Sequence, residues 1–115
     1  MNYNKLTDGD FSVLVAGLLK PKYKARVNRY NKNAAELVWD WYGKEQTTGF
    51  CPLIKADESF TAIKQNRIGI IPEGKTTWKA IHESGISATH KNPLRAALTV
   101  LLMLKGVTND QPNPQ

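Results

Sequence analysis

The chain has 115 residues, a mass of 12.9 kDa and a net charge of +6. Its composition, 41% hydrophobic and 23% charged with a mean hydropathy of −0.44, excludes both a disordered polypeptide and a membrane-spanning one. A single cysteine, Cys51, excludes an internal disulfide, and two histidines beside it are too few for a structural zinc site.

Thr7 is a good N-cap, and Asp10 three residues on suits the positive end of a helix dipole. Phe11, Leu14, Val15 and Leu18 then recur at helical spacing until Pro21. The pattern predicts a helix over Asp8–Leu19 with those four residues facing the core.

Six of the sixteen Lys and Arg residues follow within one short segment: Lys20, Lys22, Lys24, Arg26, Arg29 and Lys32. No acidic residue lies among them, and the other ten basic residues balance ten acidic ones. The whole excess of charge therefore sits in residues 20–32. Tyr23, Val27 and Tyr30 fall at i, i+4 and i+7, so a helix here carries an apolar stripe beside Lys22, Arg26 and Arg29. Such a patch can attract phosphate, with Tyr23 and Tyr30 stacking on bases, or an acidic protein surface. The plainer reading is that the tyrosines anchor the segment while the cations stay solvated.

Leu37, Trp39 and Trp41 alternate with Val38, Asp40 and Tyr42, which favours a strand, although Ala34–Leu37 could also open a helix. The Trp pair on one side reads as core. Gly43 and Gly49, flanking polar Lys44–Thr48, mark a loop. Asp57–Gln65 reads as a second helix, capped by Asp57 and burying Phe60 and Ile63. Arg67–Ile71 is β-like and ends at Pro72, Glu73 and Gly74, and Thr76–Ile81 can pair back as a hairpin. Glu83, Ser84 and Gly85 form a further turn. Asn92-Pro93 starts a helix, nearly all apolar from Leu94 to Leu104 and stopped by Gly106. At about 1.5 Å per residue that stretch is shorter than about 20 Å, too short for a bilayer. One sheet can cover only one of its faces, so the other needs the N-terminal helix or a second copy of the chain, a homodimer being the alternative. Residues 107–115 read as a disordered tail.

Gly69-Ile70-Ile71-Pro72-Glu73-Gly74-Lys75-Thr76 matches the phosphate-loop pattern G-x-x-x-x-G-K-[ST] letter for letter. The chemistry behind it needs backbone N–H groups and Lys75 on phosphates, and the Thr76 hydroxyl on Mg²⁺. It also needs a later acidic residue ending a buried strand, and only Glu83 and Asp110 follow. Ile70 and Ile71 are ill suited to a charged nest. The match reads as a hairpin turn.

His82 and His90 read as turn or surface residues, and Cys51 beside Pro52 as a buried thiol rather than a nucleophile. No serine sits in a nucleophile elbow, and Asp57-Glu58 reads as a first helical turn. The sequence predicts no catalytic residues, no cofactor and no metal.

Phe50-Cys51-Pro52, Ala56-Asp57, the run Gln65-Asn66-Arg67-Ile68-Gly69-Ile70, Trp78, Ala80 and above all Asn92-Pro93-Leu94-Arg95-Ala96-Ala97 resemble a NinX-like family of small phage and prophage proteins. Met1-Asn2-Tyr3 and Leu6-Thr7-Asp8 are similar to its N-terminus, and the likeness covers about half of the chain. Residues 20–48 depart from it. The resemblance implies a phage origin and a small α/β/α sandwich-like fold, with no activity, cofactor or catalytic residue attached. Within it, Asn92-Pro93 reads as a cap, and Arg95 as a buried polar group satisfied by a carboxylate or carbonyl.

Together these readings predict an α+β domain over residues 1–106: an N-terminal helix, a short antiparallel sheet with a central helix, and an apolar C-terminal helix. No apolar run follows a basic stretch at the N-terminus, which favours a cytoplasmic location, and the resemblance implies that the cytoplasm is that of a bacterial host. The expected function is a non-enzymatic phage accessory protein that binds a host protein or complex, antagonism of host defence being one such role. The alternative is a small nucleic-acid-binding protein. Either would use Lys20, Lys22, Tyr23, Lys24, Arg26, Arg29, Tyr30 and Lys32.

Overall fold

A computed structural model describes residues 2–107, and the tail expected to be disordered lies, beyond Val107, outside them. The chain is α+β, as its sequence predicts, but its strands form two antiparallel three-stranded sheets where a single short sheet was expected. The described residues form two compact units, Asn2–Glu58 and Ser59 onward, each holding one sheet.

The first unit opens with a 3-10 turn, Tyr3–Lys5, and helix α1, Asp8–Leu19. Thr7 caps α1 as expected, accepting from the Asp10 N–H at 3.1 Å and donating to the Asp10 carboxylate at 3.0 Å. The buried face differs from the one expected. Gly9, Phe11, Ser12, Val15 and Ala16 are buried, whereas Leu14 and Leu18 are only partly so. Small residues bring α1 close to its surroundings; a Cβ on Gly9 would lie 2.2 Å from the Lys32 carbonyl oxygen. That close approach, rather than the largest side chains, sets the rotation of the helix.

Three strands follow: β1 (Lys24–Val27), β2 (Ala35–Trp41) and β3 (Lys44–Phe50), in that spatial order. The basic segment is thus a strand with flanking turns and not a helix. Pairing of Lys24–Val27 with Ala35–Val38 overrides the weak helical stripe of Tyr23, Val27 and Tyr30. Residues 44–48, expected as a loop, belong to β3, because Tyr42-Gly43 alone forms the turn and Trp41 pairs with Lys44. The positive φ of both turn residues, 51° and 80°, is that of a tight hairpin turn matched to strand twist. Pleating places Ala35, Leu37 and Phe50 on the buried face, to which Val27 also belongs. Burial fades along β2, leaving Trp39 half-buried and Trp41 61% exposed. Trp41 is therefore not core, contrary to the reading of the Trp pair.

In the second unit, α2 spans Phe60–Gln65. Asp57 lies in a separate 3-10 turn, Ala56–Glu58, and so does not cap it. Ile63 is buried as expected, but Phe60, the first residue of α2, is 57% exposed and is not core, although i, i+3 spacing gives both the same helix face. The expected hairpin is present as β4 (Gly69–Glu73) and β5 (Thr77–Ile81), and β6 (Ser87–His90), missed in the sequence, pairs with β5. Helix α3, Pro93–Leu104, packs on all three strands and touches α2. Asn92 caps it through bonds from the N–H groups of Leu94 at 2.9 Å and Arg95 at 3.3 Å. Gly106, at φ 68°, ends it. Residues 95–102 are buried throughout, Arg95 among them at 3% exposure.

Candidate functional site

The eight basic-segment residues divide between the two ends of β1. Lys20, Lys22 and Tyr23 precede the strand, Lys24 and Arg26 lie on it, and Arg29, Tyr30 and Lys32 follow in the turn to β2. That turn is held by Asn28, whose side-chain oxygen accepts from the N–H groups of Tyr30 and Asn31. All four lysines are exposed. Tyr30 is 88% exposed with the Arg29 guanidinium 5.6 Å from its ring, so it anchors nothing. Tyr23 meets Trp39 edge to face at 5.5 Å and does serve as a partial anchor.

Arg26 and Arg29 are not free cations. Each donates Nε–H to Glu36 Oε1 at 2.9 Å, and Glu36 is 2% exposed. Arg26 also grips Glu45 through both terminal nitrogens, at 3.0 and 3.4 Å. The hydrogen bond from Arg26 holds the Glu36 carboxyl below its ordinary value, with Arg29 adding to it against the opposing effect of burial. The bonds to Glu45 and Glu36 raise Arg26. The carboxylates that neutralise the segment's arginines come from β2 and β3, beyond the reach of any count along the sequence.

A groove of about 400 Å³ lies beside β1, lined by Lys22, Lys24, Val38, Trp39, Asp40 and Glu45. Both signs of charge meet there. At the hairpin tip Trp41 and Tyr42 touch edge to face, ring centres 4.9 Å apart and planes at 82°, and Tyr42 is 89% exposed. Sequence reasoning passed over this tip, assigning Trp41 to the core and Lys44 to a loop. The available signal was an aromatic-glycine pair between two runs able to alternate as strands.

Gly69–Thr76 runs along β4 into a turn at residues 74–76 and on into β5, with Glu73 paired to Thr77. A phosphate loop leads into a helix; this segment leads into a strand, as the hairpin reading requires. His82 Nδ1 lies 2.8 Å from Ser84 Oγ and accepts from its N–H, and His90 Nδ1 accepts from the Asn92 N–H, so both shape turns. Cys51 is a free, partly buried thiol. Among the described residues, no three His, Cys, Asp or Glu side chains are grouped to hold a metal ion, and no helix is long and apolar enough to cross a membrane. Compared with family models, curated proteins and solved structures, the chain matches none.

Proposed function

We propose that the chain is a non-enzymatic phage accessory protein that acts in the bacterial cytoplasm by binding a host protein or complex. The observation that carries the choice of a protein over a nucleic acid is the engagement of Arg26 and Arg29 by Glu36. Arginine forks are the usual bidentate grip on phosphate, and here each gives its Nε–H to a buried carboxylate. What remains is four lysines divided between two ends of a strand, with Asp40 and Glu45 beside Lys22 and Lys24. A mixed-charge surface suits a polypeptide, which carries both signs, better than a uniform polyanion. The phage origin rests on the resemblance of the C-terminal half.

Affinity capture from a bacterial lysate, followed by rebinding of the retained protein in purified form, tests this reading. A purified partner that binds directly, against a tag-only control, is the expected result. Failure to retain any protein, together with strongly salt-dependent binding of single-stranded DNA or RNA, would overturn it in favour of nucleic acid.

A further inference from the structure

Each three-stranded sheet leaves two edges, and among the described residues three of these four edges carry a feature that discourages further pairing. β1 and β6 are only four residues long, and β4 contains Pro72, which has no N–H to offer. β3 differs. It runs seven residues without a proline, pairs with β2 in one unbroken register, and holds no charge beyond Lys44 and Glu45. The hairpin also fixes which of its backbone groups face outward. In a two-residue turn the flanking residues, here Trp41 and Lys44, form a hydrogen-bonded pair. Alternation along the ladder then turns Gln46, Thr48 and Phe50 towards β2, and leaves the N–H and C=O of Glu45, Thr47 and Gly49 pointing away from it. Those three residues are exposed, and among the described residues their outward groups have no hydrogen-bond partner.

The middle residue of β3 is Thr47, itself one of the outward set. An antiparallel copy of β3 laid along this edge with Thr47 on the two-fold axis therefore overlaps the whole strand and brings outward groups opposite outward groups. Glu45 then meets Gly49 of the second copy, Thr47 meets Thr47, and Lys44 meets Phe50. No like charges stand opposite each other, the one acidic residue faces a glycine, and a threonine pair sits at the centre, a favourable cross-strand combination. Shifting the axis towards the turn shortens the overlap and, once it reaches Glu45, sets two carboxylates face to face. The edge is thus complementary to itself in one full-length register.

From these observations we infer that β3 is a dimerisation edge and that its occupant is β3 of a second copy of the chain, the two first-unit sheets joining into one continuous antiparallel sheet. Main-chain hydrogen bonds from Glu45, Thr47 and Gly49 hold the pair, and the register at Thr47 specifies it. The route differs from a dimer built on α3, whose residues 95–102 are already buried within the chain. It is independent of which host molecule the protein binds.

Sedimentation of the full chain over a range of concentrations tests this, and should show the 12.9 kDa monomer giving way to a species of twice its mass. Thr47→Lys and Thr47→Glu are the diagnostic variants, because residue 47 faces its own copy on the axis. Thr47 is exposed, so both should melt close to the native chain. Each alone should weaken dimerisation about tenfold through like-charge repulsion, and a mixture of the two should recover it as a heterodimer. In hydrogen exchange, the amides of Glu45, Thr47 and Gly49 should gain protection at dimer concentrations in the native chain and not in either variant alone. A native chain that stays monomeric overturns the inference and leaves the edge to water or to a strand of another protein. A dimer indifferent to both substitutions overturns the surface, and a mixture no tighter than the single variants overturns the register.

Discussion

Arg26 and Glu36 are register partners across β1 and β2, joined Nε to Oε1 at 2.9 Å, and Arg29 closes on the same oxygen from the turn beyond. One nearly buried carboxylate thereby ties the strand to the loop that follows it. Because Arg26 chiefly, and Arg29 after it, lower the Glu36 pKa in the fold, the unfolded chain binds this proton more readily. The stabilisation is complete above the ordinary carboxylate value of about 4.3 and is lost as pH falls through the lowered folded value. Melting temperature should therefore drop on acidification below about pH 4.3. Glu36→Gln should melt lower than the native chain at neutral pH, and its acid-side drop should be shallower. Equal acid slopes for the two proteins would show that Glu36 is not the group responsible.

The same pairing separates cations that hold the fold from cations free to bind. Changing Lys20, Lys22 and Lys24 to Gln should alter stability by no more than about 0.5 kcal/mol each, the usual range for exposed positions. Arg26→Gln should lower the melting temperature, because it leaves Glu36 with Arg29 alone and Glu45 without its bidentate partner. Thermal melts of the two sets decide this. An Arg26→Gln protein as stable as the triple lysine variant would mean that the cluster is only a surface ornament of solvated charges.

Local signals were legible where one residue type decides the outcome. Thr7, Asn92-Pro93 and Gly106 bound α1 and α3 at the residues expected, since caps and stops act within a single turn. The hairpin at residues 69–81 was legible through Gly74, whereas Pro72 and Glu73, expected in the turn, pair with Trp78 and Thr77 inside the strands. What escaped were relationships set across strands. Residues 20–32 look uniformly basic until Glu36 and Glu45 arrive from β2 and β3. Residues 44–50 look like a loop until Trp41 pairs with Lys44. Trp41 looks like core because alternation reports which face a residue occupies and not how far the cover over that face extends.

Two glycines of α1 should respond oppositely to alanine. At Gly17 nothing lies within 4 Å of the added Cβ, so Gly17→Ala should stabilise by about 0.5–1 kcal/mol through helix propensity. At Gly9 the Cβ would sit 2.2 Å from the Lys32 carbonyl oxygen and 3.0 Å from Val27 Cγ1. The propensity gain is then outweighed, and Gly9→Ala should destabilise by about 1–3 kcal/mol. Denaturant melts of both variants provide the comparison. A Gly9→Ala protein as stable as Gly17→Ala would disprove the close approach of α1 to the turn at Lys32.

Lys75 is exposed, in the turn between β4 and β5. Lys75→Ala should change stability by no more than about 0.5 kcal/mol. Neither it nor the native chain should bind ATP or GTP with Mg²⁺ by calorimetry. Tight nucleotide binding that the variant loses would return the phosphate-loop pattern to consideration.

Leu101 and Met103 lie on the same helix in opposite circumstances, Leu101 at 1% exposure and Met103 at 40%. The neighbours of Leu101 in sequence, Val100 and Leu102, are as deeply buried, and α3 packs on β4, β5 and β6. Truncating such a leucine to alanine costs about 2–5 kcal/mol. Aspartate at position 101 adds a carboxylate that must either ionise in an apolar site or hold a proton at neutral pH. Against a total stability of about 5–15 kcal/mol for a small domain, that sum leaves little or none. Leu101→Asp should therefore lack a cooperative melt by circular dichroism. Met103→Asp should melt close to the native chain, since its carboxylate can reach water. A soluble Leu101→Asp protein with a sharp transition would mean that this face of α3 is open to solvent and is itself a surface offered to a partner.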